Sequence, residues 1–403
     1  MNGPLEGIRV LDLTTTFSGP YCTRLLADMG AEVLKVEAPG GDITRGLGTS
    51  RAEGMASVHV AANHGKDSVL LDLKSPEGAR RMRELLLRAD CLVHNMRVRA
   101  ADRLGVGADA ALRANPALVH VAVTAYGSDG PYAGRPAYDD IIQAATGLAW
   151  LQSLGADDPA YMSTAVADKV AGLAAANAVT AALYARERTG RGQAVEVPMY
   201  ETLAGFALME QWGGRAFIPP EGPTGYARMR SPHRRPYRTR DGLLSVVVYH
   251  QGHWRRFLEH VGRADLLQDE RYRTVEARSR NIDDLYALLE TLIAQRTTRE
   301  WLEVLAELDI PAVPVRTLDD LFDDNHLKTV GFFREAEGDD GRYLVARSAT
   351  RFDGTPAPSP TGDRGPQALD AGRATMDRWL AGPPRMRARD GAEPDATCVD
   401  PLS

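Results

Sequence analysis

The chain has 403 residues, long enough for two or three domains and a sizeable buried core. Its 48 basic and 54 acidic residues leave a net charge of −6, which gives no electrostatic footprint for a nucleic-acid partner. A hydrophobic content of 44% with 25% charged residues is an ordinary globular balance and excludes a largely disordered chain.

In chain order, Ile8–Leu13 (IRVLDL) reads as a buried strand. Ser18, Gly19 and Pro20 then supply a helix N-cap and a first-turn proline for a helix over Tyr21–Met29. Glu32–Glu37 is the next strand, Ser68–Leu73 another, and Ser75-Pro76 opens a helix running to about Arg88. Cys91–Asn95 and Leu118–Val123 add two more strands. Strands and helices in alternation predict βαβ units and a mostly parallel sheet covered on both faces. Ligands of such sheets sit beyond the carboxyl ends of the strands, which selects Thr14–Gly19, Pro39–Arg45, Lys74 and Asn95–Arg97.

Helices are expected over Asp139–Leu151 and Ala165–Arg186, the second rich in Ala and Gly and open to close approach by another backbone. A strand at Ala194–Pro198 and a helix from Tyr200 complete a first domain over residues 1–218. Residues 219–240 are proline-rich, carry six arginines and read as a linker. A smaller domain is expected over 241–330, with a strand at Gly242–Val248 and helices at His253–Val261, Ile282–Ala294 and Thr298–Leu308. Pro311–Val315 and the Phe332–Ala346 region read as strands returning to the main body, which 331–403 completes. One helix is expected near Gly372–Leu380, and the last twenty residues read as loosely ordered.

Several chemistries are disfavoured by the residues themselves. The loop after the first strand has one glycine where a dinucleotide site wants three, so NAD and FAD do not fit, and there is no Walker loop. Cys22, Cys91 and Cys398 are isolated, and the histidines fall at no spacing that completes a metal set. The longest uncharged apolar stretch, Val170–Ala185, has 16 residues, short of a bilayer span. The N-terminal residues show no basic-then-apolar leader, so a cytoplasmic protein is expected. Asp168 stands out as a carboxylate opening a helix of small residues, which on spacing alone reads as a cap or first-turn aspartate.

The opening PLEGIRVLDLTTTFSGPYCTRLLADMGAEVLKVEAPGGDITR resembles the N-terminal signature of the family III coenzyme A transferases, the group of formyl-CoA transferase, carnitine CoA-transferase and L-carnitine dehydratase-like proteins. The resemblance continues through LDLKSPEG (71–78), VHNMRVRAADRLG (93–105), NPALVHVAVTAYGSDGPYAGRPAYDDIIQAATGL (115–148), VADKVAG (166–172), TGRGQAVEVPMYET (189–202) and DIPAVPV (309–315). The family's tail motif is degenerate around Ser359–Asp363.

The resemblance implies an α/β fold: a Rossmann-like parallel-sheet large domain, built from N- and C-terminal parts, with a smaller α/β domain, in an interlocked homodimer. It places the nucleophile at Asp168. It lines coenzyme A with Phe17, Ser18, Leu71, Asp72, Leu73, Lys74, Asn95, Met96, Arg97 and Arg103, and sets Ala137, Tyr138 and Asp139 beside the thioester. Ala38 stands where formyl-CoA transferase has an arginine, so Arg45 or another cation is expected to serve the phosphates. The glycine-rich lid of the oxalate enzyme has no counterpart between Arg228 and Trp254.

The implied activity moves CoA from an acyl-CoA donor, such as succinyl-CoA, to a small carboxylic acid through aspartyl anhydride and aspartyl-CoA thioester intermediates. It needs no metal and no prosthetic group, coenzyme A and acyl-CoA being substrates. One alternative is an α-methylacyl-CoA racemase-like isomerase, whose Gly-His-Asp pattern is here Ala137-Tyr138-Asp139. The other is a non-catalytic CoA-binding protein. Arginines 228–240 are candidates for recognising a second carboxylate.

Overall fold

Six strands pair in parallel into one sheet: β1 (Arg9–Leu13), β2 (Glu32–Glu37), β3 (Asp67–Leu70), β4 (Cys91–His94), β5 (Val119–Thr124) and β6 (Gln193–Pro198), in the spatial order β3-β2-β1-β4-β5-β6. The computed structural model describes residues 3–153, 158–353 and 364–385. The Ser359–Asp363 stretch, Cys398 and nearly all of the last twenty residues lie outside them. Two compact units are present, one of residues 1–145, 163–203 and 329–403, the other of residues 146–162 and 204–328. Residues 146–162 and 204–218, expected with the first domain, thus cluster with the second.

In the first unit the crossovers are α1 (Ser18–Asp28), α2 (Ser57–Asn63), α3 (Pro76–Leu86), α4 (Val98–Arg103), α5 (Ala108–Ala114), α6 (Asp139–Ala145) and α8 (Val166–Thr189); α7 (Leu148–Gln152) belongs to the second unit. Alternation along each strand separates two faces. Leu11, Leu34, Val36, Val69 and Leu92 meet Met82, Leu85 and Leu86 of α3 and Met376 and Trp379 of the C-terminal helix Arg373–Ala381. On the other face α8 packs against α1, β5 and β6, burying Ala167, Ala171, Gly172, Ala175, Ala176 and Val179. Small side chains bring the two helix backbones close.

Several expected boundaries move for local reasons. Ser18 is the first residue of α1, with Phe17 at the N-cap and no side-chain cap bond. Ser75 does cap α3, its Oγ accepting from Gly78 N–H at 3.0 Å. The helix expected over Asp139–Leu151 is broken, because Gly147 takes φ +78° between α6 and α7. α8 runs for 24 residues, so by length and composition it is apolar enough to cross a membrane; half of its most apolar window is buried inside the fold.

The second unit holds the antiparallel sheet β7 (Tyr237–Arg238), β8 (Leu243–Val246) and β9 (Ala312–Pro314). Helices Gln251–His260, Ile282–Ile293 and Thr298–Glu307 pack a core of Trp254, Phe257, Leu285, Leu289, Trp301 and Leu305. Because β9 pairs with β8, Pro311–Val315 is the closing strand of this unit and not a return to the main body. The residues expected to be a linker contain a helical turn, Ala227–Arg230, and β7. The chain re-enters the first unit with the hairpin β10 (Phe333–Gly338) and β11 (Gly341–Ala346).

Beneath the carboxyl end of β1 lies a buried ionic network. Asp12, fully buried, accepts from Lys66 Nζ at 3.0 Å, Thr23 Oγ1 at 2.6 Å and Thr14 Oγ1 at 2.5 Å. Lys66 Nζ also donates to Pro20 O and Asn63 Oδ1, while Lys35 Nζ bridges Thr14 O and Asp42 Oδ2. Burial alone raises the Asp12 carboxyl, but Lys66, Lys35 and the two threonine hydroxyls outweigh it and hold it at about 2. Since that value lies below the ordinary 3.8, the network's stabilisation is present above pH 3.8 and is lost as pH falls toward 2. Lys66→Met strands Asp12 without its nearest cation, and urea unfolding should show a loss of about 3–5 kcal/mol. The Asp12→Asn/Lys66→Met double variant should lose less than the single.

Candidate active site

The strand order reverses between β1 and β4, so the loops that follow them diverge and open a crevice. Thr15 N–H donates to Asn95 Oδ1 at 3.0 Å, and Asn95 Nδ2 returns a bond to Thr15 O at 2.8 Å. That reciprocal pair clasps the two loops across the reversal. Thr16 takes φ +71°, an uncommon conformation for a β-branched residue, with its N–H on Asp42 Oδ1 at 3.2 Å. This turn delivers Phe17 and Ser18 to the start of α1.

Asp168 sits in the first turn of α8 and is nine per cent exposed. Its backbone N–H donates to Asp139 Oδ1 at 3.0 Å, so Asp139 caps α8 from the first turn of α6. Gln143, one turn along α6, donates its Nε2 to Asp139 Oδ2 at 2.6 Å. The Asp168 carboxylate faces Ser18, whose hydroxyl and backbone N–H favour its charged form. It therefore stands at the N-terminus of α1, where free amide N–H groups and the helix dipole favour negative charge. Burial and the neighbouring Asp139 charge act the other way and prevail, raising the Asp168 carboxyl to about 6. Gly172, one turn beyond Asp168, makes the approach possible: a Cβ there would lie 2.7 Å from Ser18 O and 3.0 Å from Tyr21 Cδ1.

A desolvated carboxylate that is still largely ionised at neutral pH is a competent nucleophile, and the Ser18 donors can hold an oxygen that gains charge. Tyr138, beside Asp139 in sequence, is 75% exposed, and Ala137 is half-buried. Among the described residues, no group of three or more His, Cys, Asp or Glu side chains is placed to hold a metal ion.

The remaining expected residues cluster past the same strand ends. Leu71 is buried, Leu73 and Met96 pack against the core, and Asp72 accepts from Lys74 N–H at 3.0 Å. Lys74, Arg97 and Arg103 are exposed, and among the described residues none of them makes an ion pair. Arg45 is different. Its Nε and Nη2 grip Glu37 at 2.8 and 2.6 Å, and its remaining donors reach Ser68 Oγ, Gly54 O and Gln367 O. It offers no free edge to a phosphate, so it does not take the role expected of it opposite Ala38. The Pro39–Asp42 run is a turn, with Gly40 and Gly41 at φ +100° and +75°.

Of the six arginines at 228–240, four are engaged inside the second unit. Arg228 donates to Tyr286 Oη at 2.8 Å, Arg235 pairs with Glu290, Arg240 with Glu300, and Arg230 lies over the Trp150 ring.

Residues 5–368 match the family described as CoA-transferase family III. The chain belongs to CoA-transferase family III. It is 34% identical over 315 residues to a probable fatty acyl-CoA transferase of Mycobacterium tuberculosis, covering 75% of this chain and 80% of the relative. It is 33% identical over 329 residues to the succinyl-CoA–L-malate CoA-transferase beta subunit of Chloroflexus aurantiacus, covering 80% and 81%. The crystal structure of a CAIB/BAIF family protein from Brucella suis superposes with a TM-score of 0.78 at 30% identity, covering 94% of this chain and all of that one. The protein is an acyl-CoA:carboxylate CoA-transferase.

Within this CoA-transferase, two site features were not singled out from sequence. The Asp139–Gln143 pair was visible as an i, i+4 spacing in DDIIQ, whose partner across 29 residues was not. The Glu37–Arg45 pairing carried no local signal.

Because Asp139 raises the Asp168 carboxyl, Asp139→Asn should lower it. The pH profile of kcat/KM should fall off below about pH 6 in the native enzyme, and this acid limb should move to lower pH in the variant. Gly172→Ala should cost at least about tenfold in kcat, since the new methyl displaces Ser18 from the carboxylate.

Proposed function

We propose that the enzyme transfers CoA through covalent intermediates on Asp168. An Asp168 oxygen attacks the carbonyl carbon of the donor acyl-CoA, the C–S bond breaks, and CoA leaves as thiolate from a mixed anhydride. The thiolate then attacks the Asp168 carbonyl carbon, forming an aspartyl-CoA thioester and releasing the donor acid. An acceptor carboxylate attacks that thioester and displaces the thiolate, which attacks the new anhydride at its acyl carbonyl. Acyl-CoA product and the free Asp168 carboxylate result, with no net proton change.

The observation that carries this reading is the Asp168 carboxylate itself, buried in the first turn of its helix and facing Ser18 at the start of another. Buried surroundings protect the anhydride from water, and the Ser18 donors stabilise the oxyanion. Lys74, Arg97 and Arg103 are the cations offered to the CoA phosphates, with Asn95 and Met96 shaping the loop between them. Tyr138 stands where an isomerase of this pattern would use a histidine. The names of relatives that act on succinyl-CoA support a short dicarboxylic donor and a small carboxylic acceptor.

The reading includes an interlocked homodimer in the cytoplasm. Phe206, Met209, Phe217 and Ile218 are all more than half exposed, and apolar surface of this kind fits a subunit contact. Light scattering at micromolar concentration should return twice the 43.8 kDa chain mass; a monomer would remove this part of the reading.

Intact-protein mass spectrometry after mixing with succinyl-CoA or acetyl-CoA and hydroxylamine tests the chemistry. A modification mapped to Asp168 and absent from Asp168→Ala is expected. No adduct, with solvent deuterium entering the α-carbon of the acyl group, would replace the transferase intermediates by proton exchange.

A further inference from the structure

His94 is the last residue of β4, directly before Asn95, and is one per cent exposed. Its Nδ1 accepts the Met96 N–H at 3.3 Å, bending the chain over one residue. An accepting Nδ1 puts the ring proton on Nε2, which is buried and, among the described residues, has no hydrogen-bond partner. Leaving a buried donor unpaired is costly, so a simple packing role would be served better by an apolar side chain. Edge to face with His94, at 5.0 Å between ring centroids, lies His120 of β5. Its Nε2 is 3.1 Å from Val106 O, a contact in which the nitrogen must donate.

The two rings thus bracket one short element. His94 holds the Met96 amide just before α4, and His120 holds the Val106 carbonyl just after it. Between these points lie Arg97 and Arg103, and Asn95 is tied independently to Thr15. Burial lowers both imidazoles, His94 to about 3, and the neighbouring His120 further opposes protonation of His94. The mechanism uses neither histidine.

We propose that His94, braced by His120, is a positioning residue that sets the backbone of Met96 and the start of α4 so that Arg97 and Arg103 face bound coenzyme A. This rests on the reading that the Asn95–Arg103 segment binds CoA. It predicts a function in affinity, not in the chemical step.

Titration calorimetry with coenzyme A, together with steady-state kinetics on the full-length enzyme, tests it. His94→Leu keeps bulk but removes the acceptor, and should weaken the Kd for coenzyme A at least about tenfold with kcat within about twofold of native. His94→Asn restores an acceptor near the Nδ1 position and should return Kd to within about threefold. Equal weakening in both variants, an unchanged Kd in His94→Leu, or a fall in kcat alone would overturn the proposal. If His94→Leu does not fold, His94→Asn decides: native affinity supports the proposal and weakened affinity overturns it. Arg103→Ala measured alongside keeps the two readings apart. An unaltered Kd there removes the segment as a CoA site, whereas a weakened Kd with an unaffected His94→Leu removes only the role of His94.

Discussion

A carboxylate buried near the carboxyl end of an inner strand of a parallel sheet must be neutralised before the sheet can close around it, and Asp12 imposes that requirement here. Lys66 answers it from the start of the β3 segment, Thr23 from α1 and Thr14 from the loop itself, so three separately positioned segments converge on two oxygens. Lys35 extends the arrangement to Asp42, which in turn fixes the Thr16 amide in its left-handed turn. A purely apolar residue at position 12 would pack as well but would specify nothing about the loop above it. The ionic network converts sheet formation into loop geometry, and the loop carries Ser18 to Asp168.

At Asp168 three effects compete. The start of α1 favours the charged carboxylate, whereas burial and Asp139 disfavour it, and the balance falls on the side of a raised value. The group remains largely ionised at neutral pH, yet it is less well solvated than a surface aspartate. Asp139 both raises the carboxyl of Asp168 and caps its helix, so charge tuning and placement come from one side chain.

Much of this was legible in the sequence. β-Branched runs with αβ spacing gave the parallel sheet, and β2 matches its expected bounds because both of its ends are marked by charged residues and turns. Asp168 was visible as a carboxylate among small residues, though only the family resemblance lifted it above a helix cap. Tertiary pairing was not legible. Arg45 is a free cation in the sequence and a satisfied partner of Glu37 in the fold, and nothing in the seven residues between them announces it. Likewise β9 looks in sequence like any short apolar run, and only its register with β8 assigns it to the second unit. The Gly147 break was hidden because a glycine inside a periodic pattern signals either tolerance or termination.

The closing segment of the chain has a temporal consequence. β3 is an outer strand, and its free side is met by residues from the far end: Gln367 and Asp370 accept the Ser68 and Leu70 amides, Gly372 N–H meets Ser68 O, and Thr375 Oγ1 reaches Asp67 across 308 residues. During synthesis that edge emerges long before the residues that cover it, and at ribosomal speeds of about 5–20 residues per second the interval is roughly 15–60 s. For that time a nascent chain presents an open strand to its neighbours on the polysome. Copies translated in close succession therefore meet one another while this side of the sheet is still unsealed.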